Sequence, residues 1–437
     1  MTGRIPALLG FCALLATLRA GAVETAALRG APLGPRELPT TSARIYLGNV
    51  ERQIRALEAG VRREPANLDA RRELAALQHM HGVFREDLDE IQSGIEQIGE
   101  CIRRSSGSGP FWLLRASQEL SLHRFREAQA DLERARVLGA GSNAAAAVEQ
   151  ELDWNQGRFE KAIASIRAAA RARPTVDTMA RLARLEHDLG NYEAADRAFE
   201  QAEDLIVDPN PIPVAWLSLQ RGRHKLDLGE YDQAVVFFSE ALARVPSYPA
   251  AREALGEAFH LLGRDEEAAA QYRQILEQDP RSDVAADLAL LYRAMGRPSE
   301  AAALALRARQ RYEELLIRYP EAMYWHAAAF FLAQEEPGRA LQLLSLNLTL
   351  RPDSPAWTAH ARALFALGRM DDARRSIDRA LAMPVVSADL YWTASLIYAA
   401  AGDKPQSELL ARRAREHDPD IARRSQIVPR TDASGVR

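Results

Sequence analysis

Between residues 249 and 280 the chain reads PAAREALGEAFHLLGRDEEAAAQYRQILEQDP, with its apolar positions on a helical period. Leu255, Gly256 and Phe259 fall at i, i+1 and i+4 and share one face of a first helix. Gly263 follows a Leu-Leu pair, where a residue without Cβ can take the left-handed conformation that ends a helix. Ala268, Tyr272 and Ile275 form the stripe of a second helix, and Pro280 stops it because proline cannot extend the hydrogen-bond ladder. Two short helices cannot bury such stripes alone, whereas stacked copies make a continuous core.

The same grammar recurs. Aligned on the turn glycine, the markers are Gly82, His123, Gly157, Gly190, Gly229, Gly263, Gly296, Glu335, Gly368 and Gly402. From His123 the intervals are 34, 33, 39, 34, 33, 39, 33 and 34 residues, after a first interval of 41. Five residues past the marker stand Ala128, Ala162, Ala195, Ala234, Ala268, Ala301, Ala340 and Ala373, small enough for two helices to approach closely. Asp87 and Ser407 replace the alanine in the terminal units. With LGNYEAA at 189–195, LGEYDQA at 228–234, LGRDEEA at 262–268 and LGRMDDA at 367–373, and with closing prolines at Pro65, Pro174, Pro246, Pro280, Pro352 and Pro419, the chain resembles the tetratricopeptide repeat family. The resemblance covers about residues 45–420. It implies an all-α, right-handed superhelical solenoid of about ten helix-turn-helix repeats, in a class that binds proteins or peptides.

Taken in order, residues 1–22 read as a secretory signal peptide: Arg4 precedes an apolar stretch at 5–18, and Ala20-Gly21-Ala22 is a small-x-small cleavage site. An uncleaved inner-membrane anchor is the alternative, although the run is short for a span. Phe11 before Cys12 argues against lipidation. Residues 23–40 read as a flexible spacer, 41–67 as a degenerate leading helix pair, 68–419 as the repeat array and 420–437 as a tail. CIRRSSGSGP at 101–110 reads as a loop that lengthens the first interval, DPNPIP at 208–213 as an interruption, and a longer second helix through about 319 as the source of the last 39-residue interval.

Charge narrows the function. Basic charge is nearly all arginine, with lysine only at 161, 225 and 404, which reads as genome composition. Cleavage after residue 22 removes Arg4 and Arg19 from the 56 basic residues, leaving 54 against 60 acidic ones, a net of −6. That field disfavours general nucleic-acid binding. It also leaves Cys101 as the one thiol, with no intramolecular disulfide possible. No HExxH helix, phosphate loop, GxSxG elbow or CxxC pair is present, so the chain reads as a non-enzyme without cofactor. His79-Met80-His81 is the one histidine cluster, but adjacent helical positions diverge, so no metal site is expected. The Asn347-Leu348-Thr349 sequon lies within an expected helix.

In the family the first helix of each unit lines a concave groove. Carried over, the groove positions are Trp154, Arg184, His187, Arg223, Glu257, His260, Arg293, Trp325, Arg362, Phe365 and Trp392, charged centrally and aromatic towards the C-terminus. Tyr324 and Tyr391 compete with their neighbouring tryptophans for the core position. The Lys and Asn set of the family's carboxylate clamp is missing. The expectation is an exported, periplasmic or secreted scaffold that holds a partner protein or peptide in its groove, possible settings being envelope assembly or export. The rival is a carbohydrate- or metal-binding accessory of an envelope enzyme system, using the Trp325–Trp392 surface.

Overall fold

The computed structural model describes residues 38–427, and within them the chain forms twenty-two helices and no strand. The expected leader at 1–22, nearly all of the spacer and the terminal TDASGVR lie outside the described residues. A leading helix α1 (Ala43–Arg63) is followed by ten antiparallel pairs. The first three are α2 (Leu68–Arg85) with α3 (Leu88–Arg104), α4 (Gly109–Ser121) with α5 (Phe125–Val137), and α6 (Ser142–Asn155) with α7 (Phe159–Ala172). Next come α8 (Val176–Asp188) with α9 (Tyr192–Asp204), α10 (Pro211–Asp227) with α11 (Tyr231–Arg244), and α12 (Pro249–Leu261) with α13 (Asp265–Leu276). The last four are α14 (Ser282–Ala294) with α15 (Pro298–Arg318), α16 (Pro320–Ala333) with α17 (Pro337–Leu350), α18 (Ser354–Ala366) with α19 (Met370–Leu381), and α20 (Ala388–Ala400) with α21 (Lys404–His417). A short α22 (Ile421–Ile427) closes the described chain. The pairs stack into a right-handed superhelical solenoid.

Sequence and structure agree closely at the turns. His123 (φ 57°) and Glu335 (φ 59°) hold the left-handed conformation that glycine takes at the other markers from Gly157 to Gly402. The eight in-phase alanines are all buried, at 3% exposure or less. Opposite them the approach is close: a Cβ on Gly222 would lie 2.4 Å from the Phe238 ring, and one on Gly256 2.8 Å from Tyr272.

Three local readings change. The expected helix pair at 41–67 is one helix, Ala43–Arg63, because neither Gly48 nor Gly60 takes a positive φ and Val50, Ile54 and Val61 keep one unbroken buried stripe. Gly82 lies inside α2, and the left-handed turn residue is Glu86 (φ 57°). Ile91 therefore occupies the place five after the turn that alanine fills elsewhere, and Gly82 makes room for it, since a Cβ there would stand 2.9 Å from the Ile91 side chain. The loop expected at 101–110 shrinks to 105–108: Ile98, Cys101 and Ile102 extend the buried stripe of α3 past the expected break.

The feature that positions the site is the meeting of successive superhelical turns. Arg281 before α14 reaches Glu86, and Arg318 with Tyr319 reaches Asp89. Val386 N–H donates to the Asp188 carbonyl at 2.9 Å, and the Tyr192 and His417 rings meet edge to face at 5.5 Å. Arg423 donates to the Leu261 carbonyl at 3.0 Å, and Thr41 N–H to that of Pro209 at 2.8 Å. These partners stand 162 to 230 residues apart, or about five to seven units of roughly 34 residues. A polar seam thus runs between the first-helix ends of one turn and the unit junctions of the next.

Candidate functional site

Three of the sequence-picked residues meet at this seam. Trp154 ends α6, Arg184 and His187 lie in the last turns of α8, and the next superhelical turn faces them with Arg351, Asp353 and the starts of α18 and α20. Together they enclose a cleft of about 50 Å³. It continues through Trp154, Arg184 and Asp188 into a second recess of about 40 Å³ between α6 and α8, bounded by Glu151, Arg181 and Ile166. Trp154 is held edge-on to Phe159, with ring centroids 5.2 Å apart.

The cleft gathers buried charge. Arg351 is 4% exposed and donates Nη2 to Asp353 at 3.0 Å, while its Nε and Nη1 have no hydrogen-bond partner. Arg184 Nε is likewise buried without a partner, and burial lowers its guanidinium against the pull of Asp188 and Glu151. Burial pushes Glu151 up to about 7, despite Arg181, Arg184 and Arg351 around it. Asp353 is also raised by burial; it caps α18 by accepting the Ala356 N–H at 2.9 Å. The helix starts behind these groups, with Ser387 capping α20, add the partial positive charge of a helix N-terminus. Unpaired guanidinium N–H groups at this depth are costly, and an anionic group satisfies them.

His187 belongs to a second polar chain. Its Nδ1 and that of His224 are 2.7 Å apart, so one ring donates and the other accepts. His224 and Lys225 converge on Asp196 and, against the upward push of burial, hold it down to about 2.

The other picked residues are spread along the array. Arg223 is buried on α10, and Glu257 and His260 are buried on α12, His260 bound to Asp265 at 2.7 Å. Arg293 is exposed and reaches Gln334 at 3.3 Å. Trp325 is 3% exposed within the apolar cluster around α16, so it offers no face to a ligand. Arg362 pairs with Asp389 and Thr393; Phe365 packs half-buried beside α19. Trp392 lies in a separate small cluster with Ala388, Ala414 and Ile421. His79 faces Ser121 at 2.8 Å, whereas His81 faces Glu90 at 2.7 Å, so the two rings diverge. Among the described residues no group of three or more His, Cys, Asp or Glu is arranged to hold a metal ion, and no helix is long and apolar enough to cross a membrane.

Sequence reasoning missed Glu151, Arg351 and Asp353. Arg351 and Asp353 sit at a unit junction, outside the first-helix positions that define the groove, and reach it only because the superhelix returns upon itself.

The tetratricopeptide repeat family model matches residues 151–206, 219–283 and 358–421. None of the curated proteins compared with the chain matches it. Among solved structures, a tetratricopeptide repeat protein from Parabacteroides merdae aligns at 16% identity over 59% of this chain and 98% of its own, with a TM-score of 0.36. The Cut9–Hcn1 hetero-tetramer of the APC/C gives 12% identity over 89% of this chain and 94% of that one, with a TM-score of 0.38. Human IFIT1, solved as a dimer with PPP-AAAA, gives 12% over 84% and 93%, with a TM-score of 0.44.

Proposed function

The chain is built of tetratricopeptide repeats, the fold of a protein–protein interaction scaffold, and we propose that it is an exported scaffold that holds an acidic segment of a partner protein in the cleft between its superhelical turns. The observation that carries this reading is the convergence of Trp154, Arg184 and the buried, under-satisfied Arg351 in one cleft. An aromatic face beside two arginines is the residue set that concentrates binding energy in protein interfaces. An acidic side chain there replaces a costly unmade hydrogen bond with a charge-assisted one. Export rests on the leader-like residues 1–22, and on this reading the partner is a protein of the bacterial envelope or of the exterior.

The test is crosslinking in intact cells with the full chain tagged after Arg437, followed by N-terminal sequencing of the recovered protein. The expected result is a chain beginning near Val23, with one or two envelope proteins whose recovery is lost in Arg184→Ala and kept in Arg293→Ala. Cytoplasmic partners on an unprocessed chain overturn export. Undiminished recovery with Arg184→Ala overturns the cleft.

A further inference from the structure

A second cavity lies elsewhere on the seam. It measures about 170 Å³ and is bordered by the α2–α3 turn on one side and by α14, α15 and α16 on the other. A water needs only about 10–15 Å³ of such space, so several non-hydrogen atoms fit. Its lining is acidic: five carboxylates and two guanidinium groups border it. The cations present are already committed. Arg281 serves Glu86, Glu253 and Asp283, and Arg311 turns to Glu314 on its own helix at 2.7 Å. Arg318, from outside the lining, pairs with Asp89. Asp87 spends one oxygen on the Glu90 N–H as the cap of α3. Asp279 makes no salt bridge among the described residues, and burial raises its carboxyl.

A second observation points to a ligand. His326, on α16, lines the same cavity, is 4% exposed, and its Nε2 has no hydrogen-bond partner. Burial lowers this imidazole to about 4, so the ring is neutral near pH 7 and can offer a lone pair. The remaining wall is apolar, from Leu88, Leu315 and Met323. A net acidic chamber with a neutral nitrogen acceptor and a greasy wall suits a cation that carries both N–H donors and methylenes. A bare divalent ion fits poorly, since no three ligating side chains converge.

We propose that this cavity binds a small protonated alkylamine, its ammonium group donating to Asp279 and His326 and its chain lying along Leu88 and Met323. Bound there, the amine adds a further tie between the α2–α3 junction and the next superhelical turn, beside those that Arg281 makes to Glu86 and Arg318 to Asp89.

Calorimetric titration of the purified full chain with putrescine at physiological ionic strength tests this. The expected result is saturable single-site binding that Asp279→Asn weakens by about tenfold or more, the scale of one hydrogen bond to a charged group. Leu88→Trp, which fills the apolar wall and leaves every charge in place, is expected to abolish it; circular dichroism confirms that both variants are folded. Absence of saturable heat overturns the proposal, as does binding indifferent to both substitutions. Tighter saturable binding of Mg²⁺ than of putrescine also overturns it, by making the site one for a metal.

Discussion

Within a repeat unit the two helices meet over an alanine and an aromatic ring with no spare space. Between superhelical turns the ends of those helices meet over arginines and carboxylates. Gly222 against Phe238 belongs to the first kind of contact, and Arg281 among Glu86, Glu253 and Asp283 to the second. The unit interface is repeated in phase, so one spacing rule specifies all of it. The seam joins residues about 200 positions apart, such as Glu86 and Arg281 at 195, and each junction has its own chemistry. The first contact sets what a unit is; the second sets how tightly the superhelix closes and hence where a cleft can form.

The largest test of that contrast removes the seam's central cation. Arg281→Met leaves three carboxylates facing one another with little solvent, and Glu253 is already held well above the usual carboxylate range by burial and Asp283. Breaking a buried ion cluster by taking one sign away costs about 3–5 kcal/mol. The loss is expected in urea unfolding, with hydrogen exchange accelerated first in α2 and α14, since repeat arrays open locally. A loss under about 1 kcal/mol makes the seam an incidental contact, like an exposed ion pair.

A second test lies where seam and unit meet. Glu151 titrates near 4.5 when unfolded and is raised to about 7 in the fold. The folded chain therefore binds more protons across that window. This group's contribution to stability falls as pH rises from about 4.5 to about 7 and is flat above. Glu151→Gln removes the fall, so relative to the parent it gains up to about 3 kcal/mol between about pH 5 and about pH 8. Urea midpoints of both proteins at the two pH values measure it. A variant that tracks its parent at both shows that Arg181, Arg184 and Arg351 fully neutralise the carboxylate.

The unit interface is tested by adding one methyl group. Gly222→Ala drives a Cβ into the Phe238 ring at 2.4 Å, and overpacking of this kind costs about 1–3 kcal/mol. Gly60→Ala is the control: nothing lies within 4 Å of its Cβ, and alanine's helix preference yields a gain of about 0.5–1 kcal/mol. Equal effects at the two sites in urea unfolding remove the claim of a close approach.

What the sequence disclosed follows the same division. The eight alanines and the turn markers from His123 onward were legible because they answer to a local requirement, a left-handed residue or a thin side chain, at a constant offset. Gly82 misled for a local reason too: in its unit the small and large residues have changed places with Ile91, so the glycine marks a helix crossing rather than a turn. The site was legible by half. Trp154, Arg184 and His187 sit on first helices, where the repeat register places them. Arg351 and Asp353 face them only because small rotations per unit accumulate over a full turn, a quantity that no single stretch of sequence carries.

The smallest test distinguishes the two contacts by sign. Glu335 and His123 both hold the left-handed conformation, a strain that glycine relieves by about 1–2 kcal/mol. Glu335 is exposed within the array, so Glu335→Gly is expected to stabilise the chain by about 1 kcal/mol once the backbone entropy of glycine is subtracted. His123 is 1% exposed, stacks on Phe125 at 5.6 Å and is kept neutral by burial and by Arg351 of the next turn. Removing its ring opens a cavity at the seam, and the transfer and cavity terms outweigh the relieved strain. His123→Gly is therefore expected to destabilise by about 1 kcal/mol, read from the urea midpoint beside that of Glu335→Gly. If both substitutions stabilise, the seam contributes nothing at this junction and the backbone strain alone decides; if both destabilise, the left-handed residues are not strained and the repeat tolerates them at no cost.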